Sequence, residues 1–454
     1  MAQTNKRGRM ALSAFLMPAG YDRHAWQIEG SRSEEFGTYG IHKELAQEFE
    51  KAKFDAVFIA DTVGTNFIRE HDLSMGNPYE PVTALASLAD ATKNIGLIGT
   101  ISTTFNHPYT VARQLASLDV LSGGRAGWNI VTSSWGNEAY GMASLPPKDL
   151  RYRRADEFVK LVRELWSAWS DSAIINDRAT GRWVDPDLIR PVHHEGEFFK
   201  VDGYLNVPRS AQGHPVLVQA GQSSAGLNFG ADVAEVIYTV NPELENAIAY
   251  YKDQKGRVAQ KGRNPDHVKI LPGLIPYVGR TDKEARDLLM AVVEHMDMHF
   301  VRNWFQETND VKVDDLDFDL PIPEERFDVY KTSTKGSRIL AYRNYALQPG
   351  ITLRDVLINA SSAMGHILMV GSVDKVADQM IHWFESYACD GFSVNTPSIP
   401  GALRTICDLL IPALQERGYA RRDYDSSTLR GNLDLPYPEA WDKAEADNRS
   451  VAAF

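Results

Sequence analysis

GLIGTISTTFNHPYTVARQLASLDVLSGGRAGWNIVTSS, residues 96–134, reads as one strand, one helix and a second strand with short connections. Gly96–Ser102 is a short apolar run with β-branched residues that stops at hydroxyl groups, the pattern of a buried parallel strand. Pro108 then suits the first turn of a helix, and Val111, Ala112, Leu115, Leu118 and Leu121 recur at helical spacing, leaving Arg113, Gln114 and Asp119 for the other faces. Ser122-Gly123-Gly124 ends the helix, because glycine takes the left-handed cap conformation at little steric cost. Ala126–Thr132 follows as a strand and runs into Ser133 and Ser134. Two strands joined through a helix predict a parallel pair with a right-handed crossover. Their hydroxyl-bearing carboxyl ends either face a ligand, as in many α/β proteins, or merely terminate strands.

Outward from this unit, further strands are expected at Met10–Met17, Phe54–Asp61, Val216–Gly221, Val236–Val240, Val268–Val278 and Gly391–Asn395. Helices are expected at Thr38–Lys53, from Pro81 to Lys93, at Tyr152–Trp169, Val373–Ser386 and Leu403–Arg417, the last followed by a polar tail. The alternation favours an α/β fold, a single (β/α)8 TIM barrel over an open sheet, with insertions at about 18–37, 62–80, 170–214 and 281–371. The last of these is too long for an ordinary connection and reads as a cover over a site or an oligomer contact.

At 454 residues and 43% hydrophobic content the chain can bury a large core. A net charge of −12 speaks against nucleic acid as a partner, which needs a clustered basic face. Two cysteines make neither a disulfide framework nor a thiolate metal site. With no apolar leader and no 18-residue apolar run, no membrane span and a cytoplasmic location are expected.

Asp61 closes the apolar run FDAVFIAD and is either a ligand acceptor or a helix cap. Asn129 lies mid-strand, where a buried amide needs partners. The run 219–226, QAGQSSAG, combines a strand end, a glycine turn, hydroxyls and a helix start, an arrangement suited to phosphate and equally to an ordinary serine cap. No Walker lysine or GxGxxG accompanies it. His24, His107, His193, His194 and His366 show no HExxH spacing, and no GxSxG elbow is present.

Four runs, residues 100–133, RYRRADEF (151–158), VPRSAQGHPVLVQAGQSSAG (207–226) and ERGYARRDYDSSTLRGNLDL (416–435), resemble the bacterial luciferase-like flavin-dependent monooxygenases. Within them the chain looks like the branch that holds the nitrilotriacetate monooxygenase large component, dibenzothiophene sulfone monooxygenase and pristinamycin synthase. The resemblance implies a barrel that uses reduced FMN (FMNH2) as a diffusible co-substrate with O2, the flavin supplied by a separate NAD(P)H:FMN oxidoreductase. It implies Asp61 and Thr103 near the isoalloxazine, Asn129, Val131, Thr132 and Ser133 along its other edges, and Tyr152, Gly221, Ser223 and Ser224 at the phosphate. His366, in the Gly365-His366 pair, falls on the substrate side, with His24 and Trp135 as further catalytic candidates. Phe15, Trp26, Phe67 and Tyr109 are substrate-contact candidates for an aromatic, heterocyclic, sulfur- or nitrogen-containing compound, while Arg23, Arg32 and Arg69 would suit an anion. A homodimer or homotetramer is expected. The alternative within the superfamily is an F420-dependent dehydrogenase or a non-catalytic flavin-binding protein.

Overall fold

The computed structural model describes residues 7–61, 63–64, 76–333 and 336–440. Eight parallel strands close on themselves: β1 (Ala11–Phe15), β2 (Ala56–Ile59), β3 (Gly96–Ser102), β4 (Ala126–Val131), β5 (Val216–Gln219), β6 (Val236–Thr239), β7 (Lys269–Gly279) and β8 (Gly391–Asn395). Each pairs with the next, and Ala11 registers with Gly391 to complete the ring. β6 joins β7 through Val236 and Lys269, and β7 joins β8 through Gly273 and Ser393. The expected TIM barrel is therefore present.

Strand residues are buried on both faces because alternate side chains go to different cores. Ala11, Ala56, Ile98, Val216, Val236 and Leu271 fill the interior, whereas Leu12, Val57 and Leu97 pack outward with the helices. The helix of the opening stretch spans Pro108–Leu121 as expected. Asp119, off the apolar face of this helix, is nonetheless fully buried and accepts from Ala126 N at 2.9 Å and Gln212 Nε2 at 2.7 Å. It thus ties the start of β4 to the 208–214 loop, and burial raises its carboxyl to about 6.

Three further expectations are corrected. The 170–214 insertion, which its punctuation by Gly181, Pro186, Pro191 and Pro208 marks as irregular, carries two antiparallel hairpins, Ile174–Asp177 with Arg182–Val184 and Val192–Glu195 with Lys200–Gly203. A 17-residue helix, Leu244–Gln260, follows β6 where none was anticipated; its polar sequence buries only Ala247, Gln254 and Val258 and so carries a weak apolar signal. Residues 418–440 are no free tail. They fold back under the barrel, where Leu429, Leu433 and Leu435 join the interior core, and a Cβ on Gly96 would collide with Leu429 Cδ1. Buried Arg421 holds Asp55 there at 2.5 Å, and buried Arg430 holds Glu235.

The long insertion forms helices at Asp282–Val293, Met298–Asn309, Gly336–Ala346 and Leu353–Ala363, then a strand, Ile367–Ser372, that pairs with the second half of β7. Its core of Val301, Phe305, Phe327, Ile339, Tyr342 and Leu357 is continuous with Met17, Tyr21, Ile275 and Tyr277. The insertion is thereby seated on β7 and on the loop after β1, beside the carboxyl ends of the strands.

Candidate active site at the carboxyl ends of the strands

Asp61, Val63, Thr100, Ser102, Val131, Ser133 and Trp135 line one recess where β2, β3 and β4 end. Ser102 Oγ and Ser133 Oγ bridge adjacent strands at 2.6 Å. Asn129, 4% exposed, donates from Nδ2 to Thr100 Oγ1 at 2.8 Å, while its Oδ1 is buried with no hydrogen-bond partner. A buried carbonyl oxygen left so costs roughly 1–3 kcal/mol unless a ligand donor meets it. Thr103 is turned inward: its N–H and hydroxyl both bond Val131 O, at 2.9 and 3.2 Å. Thr132 is half-buried beside it, and Trp135, 57% exposed, forms the rim.

One strand further round, β5 ends at a glycine turn. Gly221 and Gly226 leave space that the Tyr152 hydroxyl enters from the helix Lys148–Trp166: a Cβ on Gly221 would lie 3.0 Å from that hydroxyl, and one on Gly226 2.9 Å. Ser223 caps the helix Ser224–Val233, its Oγ accepting from Gly226 N at 3.2 Å. A helix N-terminus, two hydroxyl residues and a phenol therefore converge on a turn without side chains, which is anion-binding geometry.

A second group lies across the barrel mouth. Phe15 packs 5.1 Å from Phe58 and 6.5 Å from Tyr238, and Tyr21 lies edge-on to Phe15 at 5.6 Å and to His366 at 5.7 Å. His366 Nε2 is 3.1 Å from the Tyr238 hydroxyl, to which Asn395 Nδ2 donates at 3.4 Å. Gly273 makes room for the pair, since a Cβ there would lie 2.5 Å from His366 Nδ1. Burial and the nearby Arg338 charge lower the imidazole to about 3, so it is neutral at physiological pH. Tyr21, Tyr238 and Asn395 were not singled out in the sequence. Each sits at or just beyond a strand's carboxyl end, a positional signal, but aromatics and amides are common there for packing alone.

Other expected residues fall elsewhere. Tyr109 does not line the mouth; its ring faces an outer groove between the helices Pro81–Ala91 and Pro108–Leu121, and its hydroxyl donates to Tyr204 O at 3.0 Å. The cause is position: Tyr109 follows the helix-opening Pro108 and therefore belongs to the outer layer. His24 is buried against Asp22, whose Oδ1 accepts from His24 N at 3.1 Å, with Ser361 Oγ at 3.5 Å from Nδ1. These contacts fasten the loop after β1 to the insertion. Trp26 is 43% exposed. Arg32 is bound to Glu35 and Glu44, and Arg23 lies over Trp304 at 5.2 Å. Phe67 and Arg69 lie outside the described residues. Among the described residues no group of three or more His, Cys, Asp or Glu side chains could hold a metal, and no helix is long and apolar enough to cross a membrane.

The luciferase-like monooxygenase family matches residues 21–389 of the chain. N-acetyl-S-(2-succino)cysteine monooxygenase of Bacillus subtilis (strain 168) is 34% identical over 441 residues, covering 96% of this chain and 98% of its own. Nitrilotriacetate monooxygenase component A of Aminobacter aminovorans is 35% identical over 444 residues, covering 95% and 97%. The structure of EDTA monooxygenase from Chelativorans sp. BNC1 superposes with a TM-score of 0.79 at 30% identity, covering 94% of this chain and 99% of that one. The chain belongs to the luciferase-like monooxygenase family and is an enzyme of the flavin-dependent monooxygenase class.

Proposed function

We propose that this protein is the oxygenase component of a two-component monooxygenase that takes reduced FMN from a separate NAD(P)H:FMN oxidoreductase and uses O2 to oxygenate a small organic molecule. The relatives' names as monooxygenases, one of them a "component A", favour this over a dehydrogenase or a non-catalytic flavin carrier. The observation that carries it is the pairing of two sites at the right places on adjacent strands: the Tyr152 hydroxyl over the Gly221–Gly226 turn, and the orphaned Asn129 oxygen on β4, registered opposite Val218 of β5. The first suits a phosphate, and the second suits an N–H of a flat heterocycle.

In this reading Tyr152, Ser223, Ser224 and the Gly221 turn hold the phosphate, while Asn129, Ser102 and Ser133 orient the ring, with Val131 and Thr132 beside it. Asp61 and Trp135 border the recess at its open side. Bound reduced flavin supplies two electrons, so that one oxygen atom of O2 enters the substrate and the other leaves as water. The chain itself holds the partners in place and excludes water; Phe15, Phe58, Tyr21 and Tyr238 supply the apolar wall. Neutral His366, bonded to the Tyr238 hydroxyl, is placed to move a proton between Nε2 and that oxygen.

Anaerobic calorimetry of the full chain is expected to show one reduced FMN bound per chain, with Tyr152→Phe binding at least fivefold more weakly. With a reductase, NADH and 18O2, one labelled atom should appear in product. A chain giving no heat with reduced FMN would sink the reading.

A further inference from the structure

We propose that Arg338 and the Tyr21 hydroxyl form a subsite that receives a carboxylate of the substrate, making this enzyme specific for an organic anion. The inference rests on the monooxygenase reading above and adds the substrate class to it.

Arg338 stands on the helix Gly336–Ala346 of the insertion, half-buried, and makes no hydrogen bond or ion pair with any described residue. Its neighbours in the insertion differ: Arg326 holds Asp315, Arg343 holds Glu324, and Arg354 holds Asp319. The Arg338 chain runs along Gly365, where a Cβ would lie 3.1 Å from Cγ and 3.4 Å from Nε. That glycine lets the guanidinium approach His366, and its charge acts on Tyr21, Tyr238, Tyr342 and His366. The groups it faces are phenols and an imidazole, with no carboxylate among them to neutralise it. A planar five-donor fork with no counter-ion among the described residues, beside an apolar wall, suits a bidentate carboxylate.

The hydrogen-bond order supplies a second donor. A buried N–H without an acceptor is rarer than an oxygen or nitrogen lone pair without a donor, so the His366 proton belongs on Nε2, leaving Nδ1 as the bare lone pair against Gly273. The Tyr238 oxygen then accepts from both His366 and Asn395. The Tyr21 ring, edge-on to His366 at 5.7 Å, offers its O–H as the second donor. His366 adds no charge, because it is neutral. The cation of this cluster is therefore Arg338.

The test is anaerobic calorimetric titration of the full chain, saturated with reduced FMN, with succinate, citrate and nitrilotriacetate as anionic probes. At least one probe is expected to bind, at least tenfold more weakly to Arg338→Gln, with partial recovery in Arg338→Lys and a loss of a few-fold in Tyr21→Phe. Thermal unfolding of each variant checks that it is folded, and the affinity for reduced FMN should stay within twofold of the parent. A parent chain that binds none of the three anions, or an Arg338→Gln chain that binds them as the parent does, overturns the inference. Failure of the parent to bind reduced FMN is read in its own titration and overturns the cofactor reading instead.

Discussion

The two halves of the barrel mouth are built on different plans. The half at β3, β4 and β5 is a rim of short polar side chains, Ser102, Asn129, Ser133 and Ser223, carried on consecutive strand ends and on the turn just past them. The half at β1, β6 and β8 is an aromatic enclosure in which Tyr21, Tyr238, His366 and Asn395 arrive from four distant segments and are joined by ring contacts and by hydrogen bonds to the Tyr238 hydroxyl. The first half is left with an open acceptor at Asn129, the second with a cation at Arg338 that is unmatched among the described residues. Rigid strand ends can hold a cofactor common to a whole family; an enclosure assembled through an insertion can change with the substrate.

If the halves are separable in this way, Gly221→Val should have the largest effect and confine it to the polar rim. The new Cβ would collide with Gln219 Nε2 and lie 3.1 Å from Gly226 Cα, so the turn must move. Reduced FMN affinity should fall by on the order of a hundredfold or more, about 2.7 kcal/mol, by anaerobic fluorescence titration. Binding of anionic probes without flavin should be untouched, and a matched loss of both would show the halves to be one cooperative unit.

The aromatic half is tested next through protons. His366 is held neutral down to about pH 3 in the fold, whereas the same side chain in the unfolded protein titrates near 6.5. The unfolded state therefore binds one proton more over that window, so stability from this group is complete above pH 6.5 and is lost as pH falls toward 3. Urea unfolding of His366→Gln against the parent should give a difference that is flat above pH 6.5 and narrows below it by up to about 1.4 kcal/mol per pH unit. A difference independent of pH would mean that the imidazole is solvated and that the enclosure is open.

The smallest effect is expected for Ser133→Ala, which removes the 2.6 Å bridge to Ser102. Ser102 keeps Thr104 N as a donor at 3.1 Å, so the loss should be only two- to threefold in reduced FMN affinity, with no change in stability beyond about 0.5 kcal/mol. A tenfold loss would move this serine pair from the edge of the cofactor site to its centre.

The polar rim was legible in the sequence, whereas of the enclosure only Phe15 and, through the family resemblance, His366 were expected, for a physical reason. Strand ends and the following turns are contiguous, so Asn129, Ser133, Gly221 and Ser223 fall inside runs whose apolar periodicity already fixes their place. Tyr238 and Asn395 also lie in recognisable strands, but a tyrosine or an asparagine there is indistinguishable from packing until its partner is known. That partner, His366, follows a helix in an insertion that breaks the strand–helix rhythm, and the strand Ile367–Ser372 right after it pairs with the far half of β7, beyond reach of local pattern. Tyr109 was misplaced, and the burial of Asp119 went unforeseen, for the converse reason: helical spacing says which residues share a face, not which residue a neighbouring loop will cover.

The return of residues 419–435 beneath the strands has a consequence for how the protein is made. Leu429 seals the interior by packing against Gly96 and Gly127, so Ile98 and Val216 keep an open underside until residues 429–435 have left the ribosome. A nascent chain halted after β8 would already contain all eight staves yet lack the bottom of the cask, exposing an oily hollow to chaperones and to neighbouring nascent chains.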